Sequence, residues 1–175
     1  WFLKLKHCLR MLRPLMLLIL LMVGALLLLP SLTSAASRFK YRRQLTINCS
    51  ARGASCTGGL SNFPVLIDST NWSAADKNTL KTIANGGRIH NTNGYDIIFR
   101  ASDGVTQLDH EIEKYDGAGG TLVAWVRIPT LFDQSTDTDI YMYYGNEDIT
   151  ESTANPAEVW SDNGYQRVYH MHDYQ

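Results

Sequence analysis

From Phe39 onward the chain runs as short stretches in which apolar and polar residues alternate, or in which β-branched and aromatic residues cluster, parted by Gly, Asn, Asp and Ser. A two-residue period puts successive side chains on opposite faces, so each stretch predicts a strand with one buried face. Six stand out: Phe39 to Asn48, Phe63 to Asp68, Tyr95 to Arg100, Leu108 to Tyr115, Thr121 to Ile128 and Thr138 to Tyr144; Gln166 to Met171 is a seventh. Between them lie Thr57-Gly-Gly, Asn93-Gly94, Ser102-Asp-Gly104, Gly145-Asn146 and the hairpin-like Asp116-Gly-Ala-Gly-Gly120. One segment departs from this pattern. Ser73-Ala-Ala-Asp76 has capping-box form, Leu80, Ile83 and Ala84 follow at helical spacing, and Asn85-Gly86-Gly87 ends the run, which predicts one short helix. Strands at this spacing with hairpin-length turns predict an all-β fold, an antiparallel β-sandwich of jelly-roll type.

The first thirty-six residues have a different composition. Lys4, Lys6, Arg10 and Arg13 are followed by an apolar run from Leu15 to Leu29, with no acid among them. That run is shorter than the roughly 20 residues a permanent span needs. Pro30 and Ser34-Ala35-Ala36 follow, as after the apolar core of a secretory signal peptide cleaved near Ala36. An uncleaved anchor is the alternative, and either one places the domain outside the cytoplasm: secreted, periplasmic or at the cell surface. Met11 would open a compact leader by itself. The expected organisation is therefore signal peptide 1–36, sandwich module 37–150, and 151–175 as a linker leading into a further domain. The membrane enters only through the leader.

Losing the four basic residues of the leader leaves 12 of the 16 Lys and Arg against 17 Asp and Glu, a net charge of −5. Nucleic acid is thereby an unfavoured partner, since phosphate-backbone binding needs clustered cations. Cys8 departs with the leader. Cys49 and Cys56 remain as a pair able to close a short loop in an oxidising compartment, worth about 2.5 kcal/mol on the chain-entropy model, with two free thiols as the alternative.

Four central motifs occur in order: Asn-Gly-Tyr95-Asp96-Ile-Ile-Phe99, Leu108-Asp-His-Glu111-Ile-Glu113-Lys-Tyr-Asp116, Leu122-Val-Ala-Trp125-Val-Arg127-Ile-Pro129 and Ile140-Tyr-Met-Tyr143-Tyr-Gly-Asn146. With Tyr41-Arg-Arg-Gln-Leu-Thr-Ile47 and Asn62-Phe-Pro-Val-Leu66 before them, the chain resembles a bacterial family of secreted modules catalogued as domain of unknown function 2341. The resemblance implies a module that often precedes a concanavalin-like or laminin-G-like lectin domain. Val168-Tyr-His-Met171 stands where the first strand of that domain would begin, which implies a truncated multi-domain chain. The resemblance implies no reaction.

The most enzyme-like feature is Asp109-His-Glu111-Ile-Glu113, because residues i, i+2 and i+4 of a strand share a face at about 6.7 Å spacing. That is near the separation of the two carboxylates in glycoside hydrolysis. It also resembles the Glu-Ile-Asp-x-x-Glu strand of jelly-roll glucanases, with the departure that Glu113 stands where that motif has Asp and Asp116 where it has Glu. The alternative is a solvated face whose acids pair with Arg42, Arg43 or Arg127. A second candidate is aromatic. Trp125 shares a face with Arg127, and Tyr141 shares one with Tyr143. If those faces coincide they form a platform for sugar rings, with Asp109 and Arg127 beside it for hydroxyls; otherwise these rings fill the core or a covered outer face.

Asp133, Asp137 and Asp139 in one loop make a weak calcium candidate, and His170-x-His172 a weaker zinc one. No other cofactor is expected. The expectation is thus a non-catalytic accessory module of a secreted or surface protein, whose partner is a polysaccharide or a neighbouring lectin-like domain. A glycoside hydrolase using Glu111 and Glu113, and a structural stalk, are the competing readings.

Overall fold

Between Thr138 and Tyr144 the residues Ile140, Met142 and Tyr144 are buried while Tyr141 and Tyr143 are half-exposed, so the alternation in the sequence is that of a strand with an inner and an outer face. The computed structural model describes residues 38–48, 59–132, 136–161, 165 and 167–170, which lie in one contact unit, Ala35–Gln175. The expected signal peptide and both Cys49 and Cys56 lie outside the described residues. Among the described residues no helix is long and apolar enough to cross a membrane.

The described residues form seven strands: β1 (Tyr41–Ile47), β2 (Leu60–Asp68), β3 (Ile97–Arg100), β4 (Gln107–Leu108), β5 (His110–Asp116), β6 (Thr121–Leu131) and β7 (Thr138–Tyr144). They make two antiparallel sheets, ordered β1-β7-β3-β4 and β2-β6-β5. Phe99, Leu122, Val126, Ile140 and Met142 fill the space between them and are at most 2% exposed. Burying a side chain of this size contributes about 1.5–3 kcal/mol. The expected all-β sandwich is the observed fold.

Three elements differ from the expectation. The single strand expected over Leu108 to Tyr115 is two strands in different sheets, because the chain crosses from one sheet to the other at Asp109. The expected helix is α1 (Ala74–Leu80) followed by a separate 3-10 turn, Ile83–Asn85. Its start is as the capping box predicts: Ser73 Oγ accepts from the Asp76 N–H at 3.2 Å and donates to Asp76 Oδ2 at 2.8 Å. Arg43 stands 2.7 Å from the same carboxylate. With Ser73, it holds the Asp76 carboxyl down at about 2. The helix stops because Thr82 turns its N–H to the Gly117 carbonyl (2.9 Å), tying this end to the β5–β6 hairpin. Lastly, residues 167–170 are irregular backbone where a strand was expected, with Gln166 and Met171 outside the described residues, and a second helix, α2 (Pro156–Trp160), precedes them.

His110 sits just after the crossover, 1% exposed, edge-on to Phe99 at 5.5 Å. Its Nδ1 faces the Leu108 carbonyl at 3.3 Å, and its Nε2 has no partner among the described residues. Burial pushes its pKa below the ordinary 6.5. The unfolded chain therefore binds the proton first as pH falls. The contribution to stability is whole above about 6.5 and is lost as pH falls from there toward the folded value. Urea unfolding at pH 7 and pH 5 is expected to show a loss of stability at the lower pH that His110→Phe reduces. An equal loss in the variant would place the acid sensitivity elsewhere.

Candidate functional site

In β6 the inward residues are Leu122, Ala124, Val126 and Ile128, which leaves Val123, Trp125 and Arg127 on the outer face. Trp125 is paired in register with Leu66 of β2 on one side and Glu111 of β5 on the other. The β5–β6 ladder shifts by one between Ile112↔Ala124 and Lys114↔Val123, so Glu113 is the extra residue of a bulge. The bulge has two effects. It keeps Glu113 on the outer side with Glu111, and it reverses the parity beyond, so that Tyr115 turns inward. There Tyr115 donates to the Leu80 carbonyl at 2.7 Å, and burial raises its pKa.

The outer face of β5 and β6 is covered by the chain's own later residues. Pro156 in the first turn suits a helix start, and Asn155, at the N-cap, sends its side chain to Asp109 Oδ1 (3.1 Å) and its N–H to the His110 carbonyl (2.9 Å). This anchoring places Trp160 edge-on to Trp125, with centroids 5.1 Å apart. Tyr165 is edge-on to Trp160 at 5.3 Å, and His170 lies 6.3 Å from Trp125 and 6.0 Å from Trp160.

The acids are shared between indole and imidazole. The Trp125 N–H donates to Glu113 Oε2 at 2.7 Å, and the Trp160 N–H donates to Glu111 Oε2 at 2.8 Å. His170 fits between them, Nε2 at 3.3 Å from Glu111 Oε1 and Nδ1 at 3.2 Å from Glu113 Oε2. A neutral ring donates through one of these nitrogens and an imidazolium through both. The covering segment leaves the Glu111 and Glu113 side chains 19% and 21% exposed. On the adjacent row Arg127 meets Asp109 at 3.3 Å, the Glu158 carbonyl at 3.0 Å and the Glu158 carboxylate at 3.6 Å.

The structure thus brings together Asp109, Glu111, Glu113, Trp125 and Arg127. Asp109 pairs with Arg127 as one sequence reading expected, whereas Glu111 and Glu113 meet indoles and His170. Tyr141 and Tyr143 are elsewhere: they project from β7 of the other sheet, so the two aromatic faces do not coincide and no joint platform forms. Asp137 and Asp139 are described and Asp133 is not. Asp139 accepts from the Thr46 hydroxyl at 2.7 Å, and Thr46 and Gln44 hold its pKa down. Among the described residues no group of three or more His, Cys, Asp or Glu is arranged to hold a metal ion.

Two grooves lie away from the acids. One of about 560 Å³ opens between the edges of β1 and β2, beside Leu45, Ile67 and Trp72. The other, of about 380 Å³, lies beside Leu108, Ile128 and Phe132. The residues that sequence reading passed over are Asn155, Glu158, Trp160 and Tyr165. Asn155-Pro156 ahead of Val159 and Trp160 was the available signal for a short helix, but nothing in it says which face that helix covers.

No curated protein and no solved structure matches the chain. Residues 93–174 match the model of the family described as Domain of unknown function (DUF2341), a stretch that takes in β3 to β7 and the covering segment and that supports the resemblance carried by the motifs.

Proposed function

We propose that the chain is a non-catalytic accessory module of a secreted or surface bacterial protein, and that the outer face of β5 and β6 holds the chain that follows the sandwich in a set position. One observation carries this reading: Trp160 and His170 occupy Trp125, Glu111 and Glu113 together, through the Trp160 N–H bond to Glu111, two imidazole contacts to the carboxylates and ring contacts to Trp125. A glycosidase needs its two carboxylates open to substrate and water. Here both are engaged beneath a segment of the same chain. A rigidly held segment is what an accessory module requires if it is to orient a neighbouring domain, such as the lectin-like one that the resemblance implies.

Hydrogen exchange and a hydrolysis assay test the reading together. The amides of 157–161 are expected to exchange slowly in the wild type and about ten-fold faster in Glu111→Leu, a change of about 1.4 kcal/mol in local opening. The wild type is expected to release no reducing sugar from β-1,3- or β-1,4-glucans. Hydrolysis that disappears in Glu111→Gln would establish the enzyme instead, and unchanged exchange in Glu111→Leu would remove the docking role.

A further inference from the structure

Six of the seven described arginines divide into two sets; the seventh, Arg167, donates to the Tyr169 hydroxyl at 3.4 Å. Arg38, Arg43 and Arg127 each meet a carboxylate at 2.7–3.3 Å. Arg42, Arg88 and Arg100 have no carboxylate within ion-pair distance among the described residues; each lies instead over a tyrosine ring, Arg42 over Tyr141 at 5.0 Å, Arg88 over Tyr41 at 4.4 Å and Arg100 over Tyr143 at 5.1 Å. Two of these pairs cross on one surface, the outer face of β1, β7 and β3. Tyr143 stands in register between Arg42 and Ile98, and Tyr141 between Gln44 and Arg100. Phe39 closes the end of the row, edge-on to Tyr143 at 6.3 Å.

This face has unmet charge. Arg100 is 5% exposed, with one N–H bond to the Gly104 carbonyl (3.1 Å) and Nε unpartnered. Asp103, held down chiefly by Thr106 and Val105, is also lowered by the charge of Arg100, so the cation of this face that meets no acid among the described residues is Arg42. The nearest acid on β7, Asp139, is occupied by Thr46 and Gln44, and Asp103 by the N–H groups of Val105 and Thr106. Arg42 is exposed over the same patch. A guanidinium held flat on an aromatic ring keeps its in-plane N–H fork free, the geometry that suits a two-oxygen anion.

We infer that this face binds a carboxylate-bearing polysaccharide, with Arg42 receiving the uronate carboxylate and Tyr141 and Gln44 meeting the ring and its hydroxyls. The extended strip of β1, where Arg42, Gln44 and Thr46 all face solvent at the spacing of alternate strand residues, fits a linear chain. The mixture of aromatic, amide and hydroxyl groups suits a polyhydroxylated ring better than a peptide. The site lies on the sheet opposite Trp125 and does not depend on the docked segment.

Isothermal titration of the full chain with polygalacturonate, alginate and hyaluronan tests it, with fully methyl-esterified polygalacturonate and dextran sulfate as controls. At least one of the three uronate polymers is expected to bind. Arg42→Gln is expected to weaken that binding ten-fold or more while leaving the far-UV circular dichroism unchanged. If polygalacturonate binds, its ester is expected to bind at least ten-fold more weakly. The inference is overturned by any one of four results: no binding to the three, equal binding of polygalacturonate and its ester, equal binding of dextran sulfate, or an unaltered affinity in Arg42→Gln.

Discussion

Trp125→Ala is expected to free Trp160 and His170 from the outer face of β5 and β6 and to destabilise the domain by about 3 kcal/mol, toward the lower end of tryptophan truncations in packed sites. The indole is the floor on which Trp160 and His170 rest, and its N–H satisfies Glu113. Removing it strips two ring contacts and leaves a half-buried carboxylate short of a donor, which costs more than the ring contacts alone. Urea unfolding should show a lowered midpoint at unchanged slope if the sandwich itself persists. Trp160 fluorescence should shift to the red as that ring becomes wet. A variant as stable as the wild type, with unshifted emission, would mean that the segment is held by Asn155 and Arg127 and that the aromatic cluster is incidental. Glu113→Gln should have a smaller effect, since the amide oxygen still accepts from the indole.

Gly120→Ala is expected to cost about 3 kcal/mol or more, by a different mechanism. Gly120 closes the β5–β6 hairpin with φ +72°, donating its N–H to the Asp116 carbonyl at 2.8 Å. A Cβ built there would stand 1.9 Å from the Lys77 carbonyl oxygen of α1. The left-handed conformation accounts for about 1–2 kcal/mol. The rest comes from separating the hairpin and the helix, whose contact also includes the Thr82–Gly117 and Tyr115–Leu80 hydrogen bonds. Gly86→Ala is the matched control: its φ is +82°, but nothing lies within 4 Å of the new methyl, so only the conformational part, about 1–2 kcal/mol, should appear. Thermal unfolding of the two variants side by side measures the difference. Equal losses would show that the hairpin yields to the helix without cost.

Local pattern carried far in this chain where a physical constraint is local. Alternation alone sorts β6 and β7 into two faces each, Leu122, Ala124, Val126 and Ile128 against Trp125 and Arg127, and Ile140 and Met142 against Tyr141 and Tyr143, but it left open whether the aromatic faces point inward, and the structure turns them outward. The Ser73 cap and the turn at Asp116–Gly120 were equally readable, because capping and turn chemistry involve residues within four of one another. Prediction failed at Leu108–Tyr115, where one apolar-polar run serves two sheets, and at the end of α1, where the Gly117 carbonyl competes for the Thr82 N–H. Neither partner is near in sequence.

The candidate site divides along the same line. That Asp109, Glu111 and Glu113 share a face was legible from their spacing, and the bulge at Glu113 preserved it by turning only the residues beyond. Sequence by itself determined the all-β fold, which residues of each strand share a face, and which side chains were available for chemistry. Periodicity and capping are properties of neighbouring residues. Tertiary structure alone decided that Trp125 and the tyrosines lie on opposite sheets, and that Trp160 and His170, 35 and 45 positions beyond Trp125, settle on its indole and on two carboxylates. It also left Arg42 over Tyr141 with no ion pair among the described residues. Strand order and the path of the chain after β7 are set by the total burial of the two faces, a sum over the whole domain that no local window contains.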